Sequence, residues 1–182
     1  MITGDKGIPL ATVDALRRVG RIAAFVMFTA IGAQLAVRLP YTPVPVTMQT
    51  LFVVLSGVVL GPRDGFYAMI SYLVVGLAGA PVFAHFSFGP AIIAGPTGGY
   101  LLAFPVAALV AGSIFRSFGR GRVAVLTAAL SGTALILAAG TLYLSVFTGL
   151  SLGRAVFLGI TPFLAGACVK SVGAMVIFGR RQ

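Results

Sequence analysis

The sequence predicts an all-α integral membrane protein with six transmembrane helices, and three observations carry that prediction. First, 59% of the 182 residues are hydrophobic and 9% are charged, with a mean hydropathy of +1.08. A soluble core of this size would need far more polar surface to cover it. Second, charges and turn residues cut the apolar sequence into six runs. Third, the basic residues cluster at alternate ends of those runs, which is the mark of membrane orientation.

The runs come in the following order. The first spans 22–37, between Arg21 and Arg38, and the second is short, 48–61, ending at GPRDG. The third covers 65–79, and the fourth covers 98–116 with Pro105 inside it. The fifth and sixth cover 123–148 and 157–178. Several fall below the ~20 residues a lone spanning helix needs, so a compact bundle with a re-entrant or thinned region is expected. The chain divides into a cytoplasmic N-terminal segment (1–21), one six-helix membrane domain (22–178) and a cytoplasmic C-terminal tail (179–182). In IPLATVDALRRVGR, Leu10, Val13, Leu16 and Val19 recur about every three residues. That spacing suits an interfacial helix on the cytoplasmic leaflet, and a flexible tail is the alternative. Arg17, Arg18 and Arg21 before the first run resemble a signal n-region, but further runs follow, so the segment reads as a retained first helix.

A net charge of +10 would suit nucleic acid if the arginines shared one face, but they sit at the ends of apolar runs. With a cytoplasmic N-terminus, Lys6, Arg17, Arg18, Arg21, Arg63, Arg116, Arg120, Arg122, Arg180 and Arg181 lie inside, against Arg38 and Arg154 outside. Ten against two in short connections places both termini in the cytoplasm of a multi-pass cell-membrane protein.

The thirteenth cation, Lys170, lies inside the last apolar run. All three acids, Asp5, Asp14 and Asp64, fall in segments assigned to the cytoplasm, and there is no glutamate. An ammonium at mid-membrane costs several kcal/mol unless it is paired, hydrated or deprotonated. Snorkelling to an interface is one account. The other is a functional site whose missing countercharge is an anionic ligand, most simply a carboxylate.

Two long loops without acids face outward in this topology. RLPYTPVPVTMQ has three prolines, Pro40, Pro43 and Pro45, which stiffen it. It also carries Tyr41, Thr42, Thr47 and Gln49, a mix that suits a ligand lid better than a plain connector. The second loop holds Phe83, His85, Phe86 and Phe88 around the chain's one histidine, either a ligand site or an aromatic belt at the interface. It runs into GPTGGY, whose glycines and following helix start suit close approach of a carbonyl or anion.

One His, one Cys and three distant Asp do not assemble a metal site, and no cofactor is implied. Cys168 reads as a small packing residue. There is no GxxxxGK followed by Ser or Thr, no HExxH and no paired intramembrane carboxylates. ATP hydrolysis by this chain and acid-relay proton pumping are therefore disfavoured. Thr29 with Ala33, and Gly32 with Ala36, are four apart in the first run and would admit a partner helix or serve internal packing.

PVPVTMQTLFVVLSGVVLGPRDG, GAPVFAHF and GPTGGYLLAFPVAALVAG, in that order, resemble the BioY family of biotin transporters. These are the substrate-binding S components of energy-coupling factor (ECF) transporters, and the likeness covers roughly 22–178. The resemblance implies a six-helix S-component fold that binds biotin near the outer face under a lid formed by Tyr41 to Gln49. It implies that the chain is not an enzyme and works with a transmembrane coupling subunit and ATP-hydrolysing subunits. Thr29, Gly32, Ala33 and Ala36 would contact the coupling subunit, and a solitary or homo-oligomeric form is the alternative.

The implied site has Lys170 on the valerate carboxylate or another polar end of biotin, with His85 and Gln49 in hydrogen bonds. Thr47 and the backbone of Gly98, Gly99 and Tyr100 complete it, and Tyr41 and Phe83 form apolar walls. Two positions depart from the family pattern. The family's Pro-Gly-Asp-x-x-Lys reads here as Ala165, Gly166, Ala167 and then Lys170, so the lysine stays and the acid is lost. The residue after PVFA, commonly Asn, is His85. The loss at Ala167 keeps open the same fold with a related vitamin or carboxylate. A membrane enzyme using Lys170 and His85, and a passive channel, are more distant alternatives.

Overall fold

The computed structural model describes residues 10–119 and 121–178. Among these, all six apolar runs are helical, but their boundaries and breaks differ from the sequence expectation in ways that shape the site.

The first helix, α1, runs Leu10–Gln34 without interruption. Neither a separate interfacial helix nor a flexible tail describes the chain from Leu10 onward, and the 21/22 division falls inside α1. Charged residues such as Arg17, Arg18 and Arg21 end an apolar run but do not end a helix, because Arg is a good helix former. At the other end, Ala36–Val37 form a short strand, β1, paired antiparallel with β2, Val46–Thr47, in the register Ala36 to Thr47 and Val37 to Val46. Ala36 is therefore not on the first helix. The three intervening prolines stiffen the connection, and the β-branched Val37, Val46 and Thr47 suit a strand.

Gln49–Leu60 (α2) and Pro62–Leu77 (α3) follow, joined at Gly61 with φ +89°, a value other residues adopt only under strain. Pro62 starts α3, where its missing N–H costs nothing. The second loop carries a 3-10 turn, Ala84–Phe86, and a single helical turn, α4, Pro90–Ile93. The fourth run is two helices, α5 (Gly98–Leu102) and α6 (Phe104–Ser117), parted at Ala103 just ahead of Pro105. Helix α7 is Arg122–Thr148, and the sixth run is α8 (Leu152–Gly159) and α9 (Thr161–Phe178), broken at Ile160 and bent by 42°. Of these, α7 alone is long and apolar enough to cross a membrane unaided, and the α8–α9 pair is so as a bent unit. Helix α2 has 12 residues, or ~18 Å, well under a hydrocarbon core of ~30 Å.

The core lies where α2, α3, α6 and α7 meet, and Val53, Met69, Tyr72, Ala107, Ala111, Val125 and Ile136 are buried there. The tightest crossing uses glycine. A Cβ on Gly57 of α2 would overlap the Ala108 carbonyl of α6, and one on Gly112 of α6 would sit 2.6 Å from the Gly57 carbonyl oxygen. Bare backbones in contact gain dispersion along the whole crossing, and a single methyl would push the helices apart. At this end of the bundle Arg18 also bonds Asp64 at 2.6 and 2.9 Å, and Arg116 packs over Gly61. Arg18, Arg63 and Arg116 thus share one end, while Lys6, Arg120, Arg180 and Arg181 lie outside the described residues, as does the tail 179–182.

Two small-residue expectations change. Thr29 and Ala33 are 0% exposed and Gly32 is buried under Phe52 and Met48. Thr29 Oγ1 donates to the Phe25 carbonyl at 2.8 Å and meets Met69 Sδ at 4.0 Å. Thr29 and Gly32 thus pack α1 onto α3 and α2, while Ala36 is half-buried on β1. Cys168, expected to pack, is exposed.

Gly57→Ala is expected to destabilise the purified protein by about 1–3 kcal/mol, the usual cost of overpacking, or to abolish its recovery in folded form. Gly20→Ala is the control, since an added methyl there meets nothing within 4 Å. Thermal melting of both in detergent, with equal midpoints, would refute the crossing as a constraint.

Candidate functional site

The end of the bundle opposite Gly61 holds a cavity of about 540 Å³, a size typical of small-molecule sites. Both loops, the start of α2, and α5, α7 and α9 line it. Phe83, Phe104, Ile136, Leu137 and Phe163 supply apolar wall, and Thr47, Gln49, Thr50, His85, Tyr100 and Lys170 are its main polar groups. Among the described residues no acid lines it, and Arg38 and Lys170 bring basic side chains to it.

Lys170, on α9, reaches across to the start of α2. Its Nζ donates to the Thr47 carbonyl at 2.6 Å and to Thr50 Oγ1 at 2.9 Å. An ammonium has three donors, so among the described residues one N–H is left for a ligand. Ala167 is buried one turn earlier on the same wall. Thr50 was not singled out from sequence; its hydroxyl gains its role when α9 folds against the start of α2.

Gln49 and Thr47 form a relay rather than isolated ligand groups. Thr47 Oγ1 donates to Gln49 Oε1 at 3.1 Å, and Gln49 Nε2 donates to Tyr72 Oη at 2.6 Å. Tyr72 Oη in turn donates to the Val82 carbonyl at 2.8 Å. The chain of bonds ties the first loop to the second under the cavity, and Tyr72 is fully buried at its centre. Among the described residues no buried side-chain nitrogen or oxygen lacks a partner.

The aromatic cluster of the second loop divides. Phe83 is buried edge-on against Tyr72, with ring centroids 5.6 Å apart, and His85 lines the cavity mouth. Phe86 and Phe88 point outward. His85 and Phe86 both have φ of 57°, consecutive left-handed residues without glycine, a conformation that costs of order 1–3 kcal/mol each. Gln34, at the end of α1, holds this turn. Its Oε1 accepts from the Phe86 N–H at 2.9 Å and its Nε2 donates to the Phe83 carbonyl at 3.1 Å. Sequence reading missed Gln34 because nothing local distinguishes it from a helix-end polar residue.

Three expected ligand positions lie elsewhere. Tyr41 is 55% exposed and outside the cavity, whereas its neighbour Thr42 is buried and lines it. Tyr41 sits in the turn that the Thr42 N–H closes onto the Leu39 carbonyl at 3.4 Å, with its ring on the outer side of that turn. Gly98 packs against the Ile93 carbonyl and Gly99 against Tyr143, so they serve close approach of α4 and α7. The Gly98 N–H already donates to the Gly95 carbonyl at 3.0 Å. Of GPTGGY, Tyr100 reaches the cavity with Gly95, Pro96 and Thr97.

Tyr100 and Thr42 share a purpose. Pro162 has no N–H, so the Leu158 carbonyl loses its helical donor, and Phe163 bonds the Ile160 carbonyl instead of Gly159. Both released carbonyls are recovered by side chains: Thr42 Oγ1 donates to Leu158 at 2.9 Å and Tyr100 Oη donates to Gly159 at 3.0 Å.

The BioY family profile matches residues 6–182. The chain belongs to the BioY family. It is 43% identical over 166 residues to the probable biotin transporter BioY of Pyrococcus horikoshii, covering 91% of this chain and 96% of that one. It is 33% identical over 162 residues to the biotin transporter BioY of Thermotoga maritima, covering 89% and 94% respectively. Against the biotin transporter BioY2 of Lactococcus lactis it is 40% identical over 146 residues, 78% of this chain and 77% of the other. The fold matches a crystal structure of the S-component for biotin from an ECF-type ABC transporter with a TM-score of 0.85, over 96% of this chain and 94% of that one. Identity to that structure is 22%, so the match establishes the S-component fold.

Gln34→Ala is expected to free the 83–87 turn, speeding amide exchange at Phe86 and its neighbours about tenfold through the loss of both Gln34 hydrogen bonds. Exchange mass spectrometry in detergent reads this directly. Unchanged exchange would mean the turn is held by packing alone.

Proposed function

We propose that this chain captures biotin from outside the cell and delivers it inward as the substrate-binding component of an ECF-type transporter. The observation that carries the reading is the cavity in a BioY-family chain: an apolar slot whose floor presents a pre-oriented lysine with an available donor and no acid to neutralise it. Membership of a family whose relatives are named biotin transporters supports a membrane transporter rather than an enzyme. The ten-to-two distribution of basic residues supports a multi-pass arrangement with both termini cytoplasmic and the cavity facing outward.

In this reading Lys170 meets the valerate carboxylate or another acceptor on biotin, and His85 at the mouth donates or accepts a further bond. Thr47 and Gln49 act chiefly through the relay that seats both loops, and Tyr100 and Phe83 form wall. The absence of a phosphate-binding loop in the sequence leaves energy to separate ATP-hydrolysing subunits acting through a transmembrane coupling subunit. The exposed side of α1, with Met27, Phe28 and Ile31, faces lipid or that subunit.

A second reading has a specific motive. Lys170 is held by neutral oxygens of Thr47 and Thr50, where the family pattern supplies an acid at the position of Ala167. A related vitamin or carboxylate then becomes the preferred cargo. Competition by desthiobiotin, thiamine and riboflavin separates the two readings, and a ligand that biotin fails to displace decides for the second. A passive channel predicts no saturable binding at all.

Equilibrium biotin binding to the purified chain is expected to be tight and saturable, and to weaken at least tenfold in Lys170→Ala, a loss of ~1.4 kcal/mol or more. Equal affinity in wild type and mutant would remove the lysine from the site. No binding in either would remove biotin as the ligand.

A further inference from the structure

We infer that Thr42 is the positioning residue that sets how long a ligand stays, by latching the first loop onto the carbonyl that Pro162 releases from the last span. The inference rests on the proposed capture function for its ligand, but the latch itself stands on geometry.

Residues 38–46 form a stiff arm. The β1–β2 pair is its base, where Lys170 also binds the Thr47 carbonyl. Three of its residues, Pro40, Pro43 and Pro45, have no N–H and little freedom of φ. Internal bonds from the Thr42 N–H to the Leu39 carbonyl at 3.4 Å and from the Val44 N–H to Thr42 Oγ1 at 3.3 Å add a turn at the tip. A stiff arm moves as one body, so a single attachment near its tip governs whether it covers the cavity. Among the described residues, the bond from Thr42 Oγ1 to the Leu158 carbonyl is the one hydrogen bond that residues 38–46 make to a helix. Val44, buried beside it, adds apolar contact.

The acceptor is unusual in being available. A helical carbonyl is normally taken by the N–H four residues on, and position 162 is proline. When the arm lifts, the Leu158 carbonyl loses its partner, so the closed position is favoured by the worth of one hydrogen bond. That gain is absent from the open state through which a ligand leaves. Its loss therefore lowers the cost of reaching the open state and speeds dissociation. The cavity wall formed by Tyr100 is attached at the next carbonyl, Gly159, so arm and wall register on the same break.

The test is the rate of biotin release from the full chain in detergent, measured for wild type, Thr42→Val and Thr42→Ser. Valine keeps the shape and removes the hydroxyl, and serine keeps the hydroxyl. Thr42→Val is expected to release biotin about three- to tenfold faster, with Thr42→Ser close to wild type. Unchanged release in Thr42→Val, or equal acceleration in Thr42→Ser, overturns the latch. If wild type binds no biotin, the capture reading has failed and the latch is read without ligand. Spin labels at Tyr41→Cys and Phe157→Cys, both exposed sites, are placed in a Cys168→Ala background. A distance distribution that broadens in Thr42→Val supports the latch, and an identical one sinks it.

Discussion

A backbone carbonyl withdrawn from water must find a donor, and in this chain the places where a helix gives one up decide where the site is. Pro162 marks the break between α8 and α9 and strands the carbonyls of Leu158 and Gly159. An unsatisfied buried carbonyl costs about 1–3 kcal/mol, so the break is tolerable only with donors supplied from elsewhere. They come from Thr42 on the first loop and Tyr100 on α5, at 2.9 and 3.0 Å. Two elements far apart in sequence are thereby drawn onto the end of α8, and the cavity is the space they enclose with α9. The break itself bends α9 so that Lys170 faces the start of α2.

Electrostatics follow from that placement. The family pattern pairs an acid with the lysine one turn on, but here the position is Ala167 and the ammonium takes the Thr47 carbonyl and Thr50 hydroxyl instead. Neutral oxygens orient a cation without cancelling its charge. The lysine is therefore pre-positioned, and a ligand carboxylate would meet it with little side-chain ordering left to do. The same two bonds give Lys170 a structural share, because Thr47 sits at the base of the arm that closes the cavity.

The coarse architecture was legible in the sequence because it depends on one-dimensional signals: six apolar runs, Lys and Arg at their ends, and proline and glycine between them. The site was legible in part. Lys170, His85, Thr47, Gln49, Phe83, Tyr100 and Ala167 do line one cavity, because polar groups inside apolar runs and beside rigid loops stand out. What failed depended on phase or on partners. Tyr41 and Thr42 are adjacent, and only the folded arm decides which turns inward. Gly98 and Gly99 permit close approach as expected, but toward Ile93 and Tyr143. Thr29 and Ala33 have the spacing of a partner face and bury against α2 and α3. Gln34, Thr50 and Tyr72 carried no local signal, since each gains its meaning from a residue tens of positions away.

The two ends of the bundle are built on different physics, and this assigns motion to one of them. At the Gly61 end, backbones touch through Gly57, Gly65 and Gly112, and a shift of even a methyl's width meets main-chain atoms. Packing of that kind has no alternative arrangement close by. At the cavity end, the two loops are attached by side-chain hydrogen bonds: Thr42 to Leu158, Lys170 to Thr47 and Thr50, Gln49 to Tyr72 and Gln34 to the 83–87 turn. Each is worth about 0.5–1.5 kcal/mol net, so one can part while the others hold. Ligand exchange is then local to the loops, whereas any movement driven from the Gly61 end must carry α2, α3 and α6 together as a unit.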